Sequence, residues 1–460
     1  FPTRRSSDLF DKPIGVYWLQ AISASVLGIN EFAFRLPSAI SGWLASLCLS
    51  FFALRQWGNR AAVAAGFISA TSLGPWAMAR TATADALLGL FLVLIFLDLC
   101  RALFEQKLLA GRRVALWIAL GLLVKGPVAV LIPVSALFIY GLTSPQSKSL
   151  IWKLASDFFS WVILLSVSLP WYIYAYLRHG QAFIDGFILK HNVDRFMGSL
   201  EGHSGHWTYF LFALPFLWMP WSIFFVKSIY LFRVHWKQNL LRFSWIWFLF
   251  VFCFFTFSNT KLPHYLLYAE PAVCMLLTVA VLQAKKRIWV IAGFFAVSGI
   301  SALILLPNFL LTHVHLVKDP YYVKLLAGAG ELRFEFWLLC VPLFLYVLAS
   351  IRFVWPKALA AGGYSFLSSG FFFVSIYQSF VLAVVLLPWW SRTLQSPIYE
   401  LAQVVKSDQS VVVQWGVNAP SFSTYRQQET PQREPFAGEM ALVKNIDPYW
   451  PKEWNVVEVR

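Results

Sequence analysis

The chain has 460 residues, of which 59% are hydrophobic and only 13% are charged, and its mean hydropathy is +0.64. This composition excludes a soluble globular domain. The formal net charge of +15 could suit a nucleic-acid-binding protein, but the basic residues lie in short loops between apolar segments, which excludes that class.

The first nine residues, FPTRRSSDL, show neither an initiating methionine nor a signal-peptide pattern. We interpret residues 1–9 as a non-native leader. We expect the natural sequence to begin near Phe10, with further residues of the gene product before it. The following segment, 14–30, is apolar but short, which is typical of a helix that lies in the membrane interface.

Twelve apolar segments follow, and most have about 17–25 residues, the length that crosses a bilayer as a helix. A backbone in lipid must satisfy its own hydrogen bonds, so helices are predicted. The fourth segment is too short to cross alone, and we expect it to form a shallow hairpin or broken helix with the fifth around Lys125-Gly126-Pro127. The segments are 35–54, 61–79, 84–100, 114–124, 127–142, 157–177, 207–226, 243–258, 263–283, 288–308, 335–351 and 369–390.

The C-terminal residues differ in character from the rest of the chain. A helix signal at 397–406, a strand signal at 410–415, turn residues around Pro420 and a strand signal near 455–459 indicate a small α/β unit. The sequence therefore predicts an all-α polytopic membrane domain over 10–392, with about twelve spans, and a small α/β periplasmic domain over 393–460.

The charges predict how the chain crosses the membrane. Alternate gaps between segments form six short loops that hold seventeen cations and one acid, Glu105, which is the positive-inside pattern of cytoplasmic loops. We therefore expect a multi-pass protein of the bacterial inner (plasma) membrane, with a periplasmic C-terminus. The cations are Arg55, Arg60, Arg101, Lys107, Arg112, Arg113, Lys148, Lys153, Lys227, Arg233, Lys237, Arg242, Lys285, Lys286, Arg287, Arg352 and Lys357.

The remaining gaps, on the predicted external face, carry a different set of ionisable residues. Each cation alone could be an anchor to lipid headgroups, and a lone histidine is usually structural. Their persistence on the face where few cations are expected favours a shared site, and cations with a few carboxylates suit a phosphate-bearing lipid. The set comprises Asp11, Lys12, Arg80, Asp85, Lys125, Lys190, His191, Arg195, His203, Lys261, His264 and Tyr265.

Ordered motifs contain these residues: FDKPIGVYWLQA, NEFAFRLPSA, ARTATADALL, LLVKGPVA, FILKHNVDRF, HSGHWTYF and TKLPHYLL. Together they resemble the bacterial lipid-linked-sugar glycosyltransferases of the aminoarabinose lipid A transferase and protein O-mannosyltransferase type, which have the GT-C fold. The resemblance implies inverting transfer of a sugar from a polyprenyl-phosphate donor to a periplasmic acceptor, such as lipid A or another glycan, lipid or protein.

The resemblance also implies roles for single residues. It places the main catalytic aspartate upstream of Phe10, after one more span, which would give thirteen spans and leave this chain without transferase activity. Asp85 matches a site carboxylate and is the catalytic candidate here. The candidates for binding the donor phosphate are Lys12, Arg80, Lys125 and Lys261. The other site residues it implies are Asp11, Lys190, His191, Arg195, His203, His264 and Tyr265.

The residues specify no cofactor with certainty, although Asp11, His203 and His264 could form a divalent metal site. Two other functions stay open. A transporter or flippase for lipid-linked sugars would use intramembrane charges as a path, and a non-catalytic scaffold or sensor would use the C-terminal unit for binding. The position of the ionisable residues at segment ends on one face, without an inverted repeat, favours the enzyme. Membrane lipids are expected partners, and nucleic acid is not.

Overall fold

The computed structural model describes residues 12–187, 205–317, 320–329, 338–352 and 362–443, apart from the single positions 407, 409, 416, 418 and 437. Helices dominate this part of the chain. The predicted leader and the predicted strand near 455–459 lie outside the described residues. The first helices are α1 Gly15–Leu27, α2 Glu31–Trp57, α3 Asn59–Thr71, α4 Leu73–Met78, α5 Ala84–Phe104, α6 Leu108–Lys125, α7 Val128–Thr143, α8 Lys148–Ala155, α9 Phe158–His179 and α10 Gln181–Phe183.

The second half of the chain continues the helical pattern and ends with two short strands. Short 3-10 helices lie at Pro145–Ser147, Pro263–Ala269 and Val314–Leu316, and a π-helix at Leu382–Leu386. The other elements are α11 Tyr209–Leu217, α12 Ser222–Tyr230, α13 Phe232–His235, α14 Asn239–Phe257, α15 Glu270–Leu282, α16 Lys286–Thr312, α17 Pro320–Ala327, α18 Cys340–Arg352, α19 Gly362–Val381, α20 Leu387–Val404, β1 Val412–Gln414, α21 Pro420–Arg426 and β2 Met440–Leu442.

In its described residues, every predicted apolar segment falls on one to three consecutive helices, and the short segment 14–30 contains α1. In the described part of the chain, seven helical stretches are long and apolar enough to cross a membrane, and the bent pair α11–α12 would make an eighth. The prediction of an all-α polytopic protein is confirmed. The seven stretches are Glu31–Trp57, Ala84–Phe104, Phe158–His179, Asn239–Phe257, Pro263–Leu282, Lys286–Thr312 and Ser368–Val404.

The fourth segment is longer than predicted. Helix α6 has 18 residues, which corresponds to about 27 Å, because it begins at Leu108 and includes two arginines that the sequence analysis placed in a loop. It ends at Lys125, since Gly126 has a φ of +92°, a backbone conformation that favours glycine. The predicted break at Gly126-Pro127 is therefore present, but it separates two full helices.

Carboxylates neutralise part of the basic loops. Asp98, buried on α5, accepts two hydrogen bonds from Arg113 (2.7 and 2.9 Å) and one from Arg101 (3.0 Å). The indole of Trp117 donates a further one at 3.0 Å. Asp157, the N-cap of α9, pairs with Arg112 at 3.2 Å. The loops predicted to be cytoplasmic are thus less positive than the count of seventeen cations to one acid suggests.

Helix α15 lies at the centre of the bundle, where it packs against α3, α5, α12 and α14. Its residues from Glu270 to Val281 are all buried. Polar side chains around it are hydrogen-bonded to the backbone: Ser228 Oγ donates to the Leu276 carbonyl at 2.8 Å and Trp247 Nε1 to the Tyr268 carbonyl at 3.0 Å. Such bonds offset the cost of burying polar atoms in an apolar core.

A buried histidine makes the stability of the bundle depend on pH. His235 accepts a hydrogen bond from Trp245 Nε1 at 3.4 Å, and its Nε2 has no partner among the described residues. Burial, with a smaller effect of nearby Lys227, lowers the pKa of His235 from 6.5 to about 4. Between these values the unfolded chain binds more protons than the folded chain, so stability is present above pH 6.5 and is lost as the pH falls towards 4.

We therefore expect the free energy of unfolding to fall by up to about 3 kcal/mol between pH 6.5 and 4 because of this residue. Thermal unfolding in micelles across this range measures the effect. His235→Gln keeps an acceptor for Trp245 and has no titrating group, so its profile should be flatter by that amount. A variant profile parallel to that of the wild type would show that other groups cause the slope.

The C-terminal residues form a small unit joined to the membrane helices by continuous helix. Helix α19, the π-helix and α20 follow one another without a break from 362 to 404, so the predicted boundary at 392 lies inside α20. Strands β1 and β2 pair in parallel, with Val412 opposite Met440. Pro420 was expected in a turn but begins α21, where its missing N–H costs nothing. The unit has its own apolar core of Ala402, Val405, Val412, Ala419 and Phe422.

Arg426 stabilises this unit from inside. Its side chain is 2% exposed and donates hydrogen bonds to three carbonyls, those of Val405 (3.4 Å), Asp408 (3.1 Å) and Ser410 (2.8 Å). Arg426→Met should destabilise the unit by about 2 kcal/mol or more, because buried carbonyls lose their donors. The rate of cleavage after residue 404 in limited proteolysis measures this loss of stability. Arg433→Met, which removes a partly exposed ion pair with Glu439, is the control and should be cleaved much less than Arg426→Met.

Candidate functional site

The site begins at the turn before α5. Thr83, with φ −119°, precedes the helix, and Asp85 is its second residue. The turn is fixed from two sides, since Gln20 of α1 donates to the Ala82 carbonyl at 3.3 Å and Ser38 of α2 to the Thr83 carbonyl at 3.4 Å. These contacts hold the Asp85 backbone in place at the end of the bundle where α1 and α2 meet.

The carboxylate of Asp85 is 8% exposed and lies between three elements. Its Oδ1 accepts hydrogen bonds from Lys125 Nζ at 2.6 Å and from the Tyr268 hydroxyl at 2.5 Å. His264 Nε2 lies 3.6 Å from the same oxygen. The side chain binds these groups instead of capping its own helix, so three of the predicted site residues, Asp85, Lys125 and His264, are brought together.

The 3-10 helix Pro263–Ala269 brings Glu270, which was not predicted as a site residue, to the same cavity as the predicted residue His264. With three residues per turn, positions 264, 267 and 270 share one face. His264, Leu267 and Glu270 accordingly line one cavity together with Asp85. Glu270 is buried and accepts a hydrogen bond from Ser69 at 2.6 Å.

Tyr265 and Tyr268 share a neighbouring face of this 3-10 helix, and Tyr268 also lines the cavity. Their rings stack 6.0 Å apart, and Lys125 Nζ lies 5.8 Å and 5.9 Å from the two ring centres. The predicted site residue Tyr265 therefore contributes a ring beside the ion pair. Tyr268 could have been found only from its three-residue spacing to Tyr265, since it is otherwise one of many aromatic residues.

Lys261 is held by the backbone and has no carboxylate partner in the described residues. Its Nζ donates to the carbonyls of Thr256 (2.6 Å) and Ser258 (2.9 Å). Burial lowers the pKa of Lys261. The ammonium is thus a buried cation near the start of the 3-10 helix, and its hydrogen bonds orient it toward the end of α14.

Arg80 lies at the rim of the cavity. Its guanidinium stacks on the Trp76 ring, 3.7 Å from the ring centre, and donates to the Trp76 carbonyl at 2.9 Å. Partial burial lowers the pKa of Arg80, but a guanidinium stays charged. Within the described chain no acid pairs with it. The cavity measures about 380 Å³ and its walls, which include Trp43, Trp76 and Leu90, are mostly apolar.

Lys12 lies at the same end of the bundle. It is half-buried and precedes α1, whose Gly15 packs closely on the end of α6. A Cβ at Gly15 would lie 2.8 Å from the Leu123 carbonyl oxygen, so only glycine allows this approach. The start of α1 is therefore next to the last turn of α6, which carries Lys125.

The remaining predicted site residues, Asp11, Lys190, His191, Arg195 and His203, lie outside the described residues. The described residues that flank 188–204 contact the site: Phe187 packs on Gly126, and Gly205 lies against the Lys261 side chain. In the chain segments that the structure describes, no group of three or more His, Cys, Asp or Glu side chains could hold a metal. A metal site with Asp11, His203 and His264 stays a prediction.

The chain is similar to several known proteins. Residues 11–174 match the family described as dolichyl-phosphate-mannose-protein mannosyltransferase. The chain is 26% identical over 347 residues to the undecaprenyl phosphate-alpha-4-amino-4-deoxy-L-arabinose arabinosyl transferase of Serratia proteamaculans, covering 72% of this chain and 61% of that protein. It is 27% identical over 271 residues to an uncharacterized protein of Aquifex aeolicus, covering 58% and 59%. The chain thus spans about three fifths of the length of these relatives.

Two solved structures share the architecture. The crystal structure of ArnT from Cupriavidus metallidurans bound to undecaprenyl phosphate has a TM-score of 0.70 at 20% identity, over 92% of this chain and 75% of that one. The fold is that of ArnT. The apo form gives a TM-score of 0.68 at 19% identity, with the same coverage. The resemblance inferred from the motifs is confirmed: the chain is a multi-pass membrane protein with the ArnT fold, similar to glycosyltransferases of the aminoarabinose transferase and mannosyltransferase type.

Proposed function

We propose that this chain carries the donor site of a glycosyltransferase that moves a sugar from a polyprenyl phosphate to an acceptor at the external membrane face. The observation that supports it most is the cluster of Asp85, Lys125, Tyr268 and His264 beside an apolar cavity with Arg80 at its rim. Such a combination suits an amphiphile with a phosphate at one end. The names of the relatives, which include undecaprenyl phosphate, support the same donor class.

The chemistry follows from the charges. A phosphate leaves as an anion, so cations stabilise the developing charge without a protonated acid. Lys125 is paired with Asp85, whereas Arg80 has no carboxylate partner in the described chain, which makes Arg80 the first contact for the donor phosphate. Lys12 and Lys261 are the further cations at this end, and we propose them as donor-phosphate residues as well.

Asp85 has a different role in this proposal. A carboxylate can accept the proton of an acceptor hydroxyl, while an acceptor that is itself a phosphate needs a base less. The Tyr268 hydroxyl and the Lys125 ammonium both donate hydrogen bonds to one oxygen of the carboxylate, Oδ1, and so hold it in place. The mostly apolar walls of the cavity strengthen the interaction of these groups with the donor phosphate.

We further propose that the chain lies in a bacterial inner membrane with its site and its C-terminal unit in the periplasm. The unequal charge of the loops supports this orientation. The acceptor would be lipid A or another glycan, lipid or protein, and the small unit over 393–460 would be a periplasmic domain.

Binding of undecaprenyl phosphate to the purified chain tests the donor site. Undecaprenol, which has the same tail without the phosphate, should bind about tenfold more weakly or worse, because a charge-assisted hydrogen bond is lost. Lys12→Ala should weaken the binding of undecaprenyl phosphate by a similar factor, and Lys12→Arg should restore the affinity only in part.

Arg35→Ala provides the matched control, since Arg35 pairs with Glu31 at 2.8 Å and lies outside the cavity lining. This variant should bind undecaprenyl phosphate nearly as well as the wild type. Equal affinity of the wild type for undecaprenol and undecaprenyl phosphate would contradict the proposed function. Equal affinity of wild type and Lys12→Ala would remove only Lys12 from the site.

A further inference from the structure

The inner end of the cavity at Asp85 holds polar groups that the proposed donor-phosphate site does not use. Asp85 and His264 mark the outer end, where Arg80 forms the rim. Glu270 lines the same cavity six residues beyond His264, which is two turns of 3-10 helix or about 12 Å along the axis. The cavity therefore has a second carboxylate, deeper in the bundle than Asp85.

Glu270 has one oxygen bound and one oxygen open. Its Oε1 accepts the hydrogen bond from Ser69, and the Ser69 Oγ lies 2.9 Å from the Ser46 Oγ on the α2 wall. Its Oε2 has no hydrogen-bond partner in the described chain and is not fully enclosed, since the side chain lines the cavity and is 7% exposed. Among the described residues no cation pairs with this carboxylate. An oxygen that faces an apolar cavity without a donor costs free energy until a ligand supplies one.

Open space lies in front of Gly89 on the α5 wall. Gly89 follows Asp85 by four residues, or about 6 Å along the helix, and lines the cavity. A Cβ at Gly89 would meet no heavy atom of the packed elements of the described chain within 4 Å. A Cβ at Gly42, on the α2 wall, would instead lie 2.7 Å from the Ala79 Cβ. Gly42 thus allows close packing, whereas Gly89 leaves room for a ligand.

The two parts of a lipid-linked donor differ in how they suit this inner end. The isoprenoid tail is apolar and would leave Oε2 of Glu270 without a donor. The sugar is attached to the phosphate and carries hydroxyl or amino groups on the far side of its ring. With the phosphate at Arg80, a sugar that enters the cavity directs these groups inward. A volume of about 380 Å³ with mostly apolar walls and a few polar groups is typical of a small-ligand site.

We propose that the inner end of this cavity binds the sugar of the donor and that Glu270 selects which sugar is bound. Oε2 accepts a hydrogen bond from a hydroxyl or an ammonium on the side of the ring away from the phosphate. The ring occupies the space in front of Gly89, and the tail lies outside the cavity. This role rests on the proposed function and adds the residue that recognises the sugar.

Binding of three ligands to the purified full chain in micelles tests the role of Glu270. They are undecaprenyl phosphate and the same lipid carrying either mannose or 4-amino-4-deoxy-L-arabinose. The wild type should bind at least one sugar-bearing lipid about tenfold more tightly than undecaprenyl phosphate, the effect of one hydrogen bond to a charged group. Glu270→Leu should remove this gain and leave the affinity for undecaprenyl phosphate unchanged.

Glu270→Gln distinguishes a hydroxyl from an ammonium. Glutamine still accepts hydrogen bonds, including the one from Ser69, but it has no charge. The gain from the sugar should fall about threefold where a hydroxyl binds and about tenfold or more where an ammonium binds. Either result agrees with the proposed role, whereas an unchanged gain in both Glu270→Gln and Glu270→Leu contradicts it.

Filling the space in front of Gly89 tests where the sugar lies. Gly89→Leu should lower the affinity for the sugar-bearing lipid about tenfold, with Gly89→Ala between this variant and the wild type. The affinity for undecaprenyl phosphate should not change. If Gly89→Leu weakens binding of both lipids by the same factor, the tail occupies the inner end and the assignment is wrong.

Thr278→Val is the matched control. Thr278 is a second buried polar residue on α15, outside the cavity lining, and donates to the Cys274 carbonyl at 2.7 Å. This variant should keep all three affinities, and thermal unfolding should show that every variant is folded. A wild type that gains no affinity from either sugar would also overturn the role of Glu270. That outcome differs from failure of the proposed function, in which undecaprenol and undecaprenyl phosphate bind equally.

Discussion

Asp85→Asn should lower the rate of sugar transfer by the natural protein by about 10²–10⁴-fold, the usual contribution of a positioned acid or base. Asparagine has nearly the same shape and can still accept hydrogen bonds from Lys125 and Tyr268, which now donate at 2.6 and 2.5 Å. It cannot take a proton, and it removes the negative charge that faces the Lys125 ammonium. The expected result is therefore a loss of turnover with a nearly preserved fold, measured by transfer assays at matched protein levels.

Asp98→Asn is the matched control because Asp98 is a second buried carboxylate on the same helix. Its partners are Arg113, Arg101 and Trp117, at the other end of α5. This variant should lose thermal stability but keep its turnover per folded molecule. If Asp85→Asn behaves in the same way as Asp98→Asn, the role of Asp85 is structural and the proposed base is wrong.

Arg80→Ala should weaken binding of undecaprenyl phosphate by about tenfold or more, since hydrogen bonds to charged groups contribute about 1.5–3 kcal/mol. The guanidinium lies flat on Trp76 at the cavity rim, and a lysine ammonium cannot reproduce both the stacking and the fork of donors. Arg80→Lys should therefore restore part of the affinity. Titration of the purified chain at low and high salt measures it, and the difference between wild type and Arg80→Ala should shrink at high salt.

Arg60→Ala is the comparison for this variant. Arg60 is exposed at the start of α3, whose far end carries Ser69 of the cavity wall. A change in net charge would lower the affinity of both variants alike, whereas loss of a contact with the donor would lower only that of Arg80→Ala. Unchanged affinity in Arg80→Ala would move the donor phosphate to the other cations, Lys12 and Lys261.

Much of the fold could be predicted from the sequence because lipid imposes a simple rule. An apolar run of sufficient length must be helical, and so the predicted segments coincide with helices from α2 to α20. The motif residues Asp85, Lys125 and His264 were also predicted as neighbours, through their common membrane face and through the family resemblance. Their contacts agree with that expectation.

Other features could not be predicted because they depend on pairing between distant residues. Arg113 looked like a loop cation, but it lies in α6 and binds Asp98, 15 positions earlier. Glu270 and Ser69 are 201 positions apart, and nothing local indicates that they meet. Arg426 is buried and donates to three backbone carbonyls, which its neighbours in the sequence do not indicate. In each case a charge appears costly to bury until its partner is known.

Because the helical run from 362 to 404 is unbroken, the number of residues in α20 sets both the rotation and the distance of the C-terminal unit relative to the helices before it. Each inserted residue would rotate everything after it by about 100° and advance it by about 1.5 Å. One extra residue would turn Tyr425 away from Glu31, which accepts a hydrogen bond from its hydroxyl, and seven extra residues, which make nearly two full turns, would displace it by about 10 Å. No short insertion in α20 preserves both the rotation of Tyr425 about the helix axis and its distance from Glu31. Natural variants should accordingly change length in the loops and keep α20 constant.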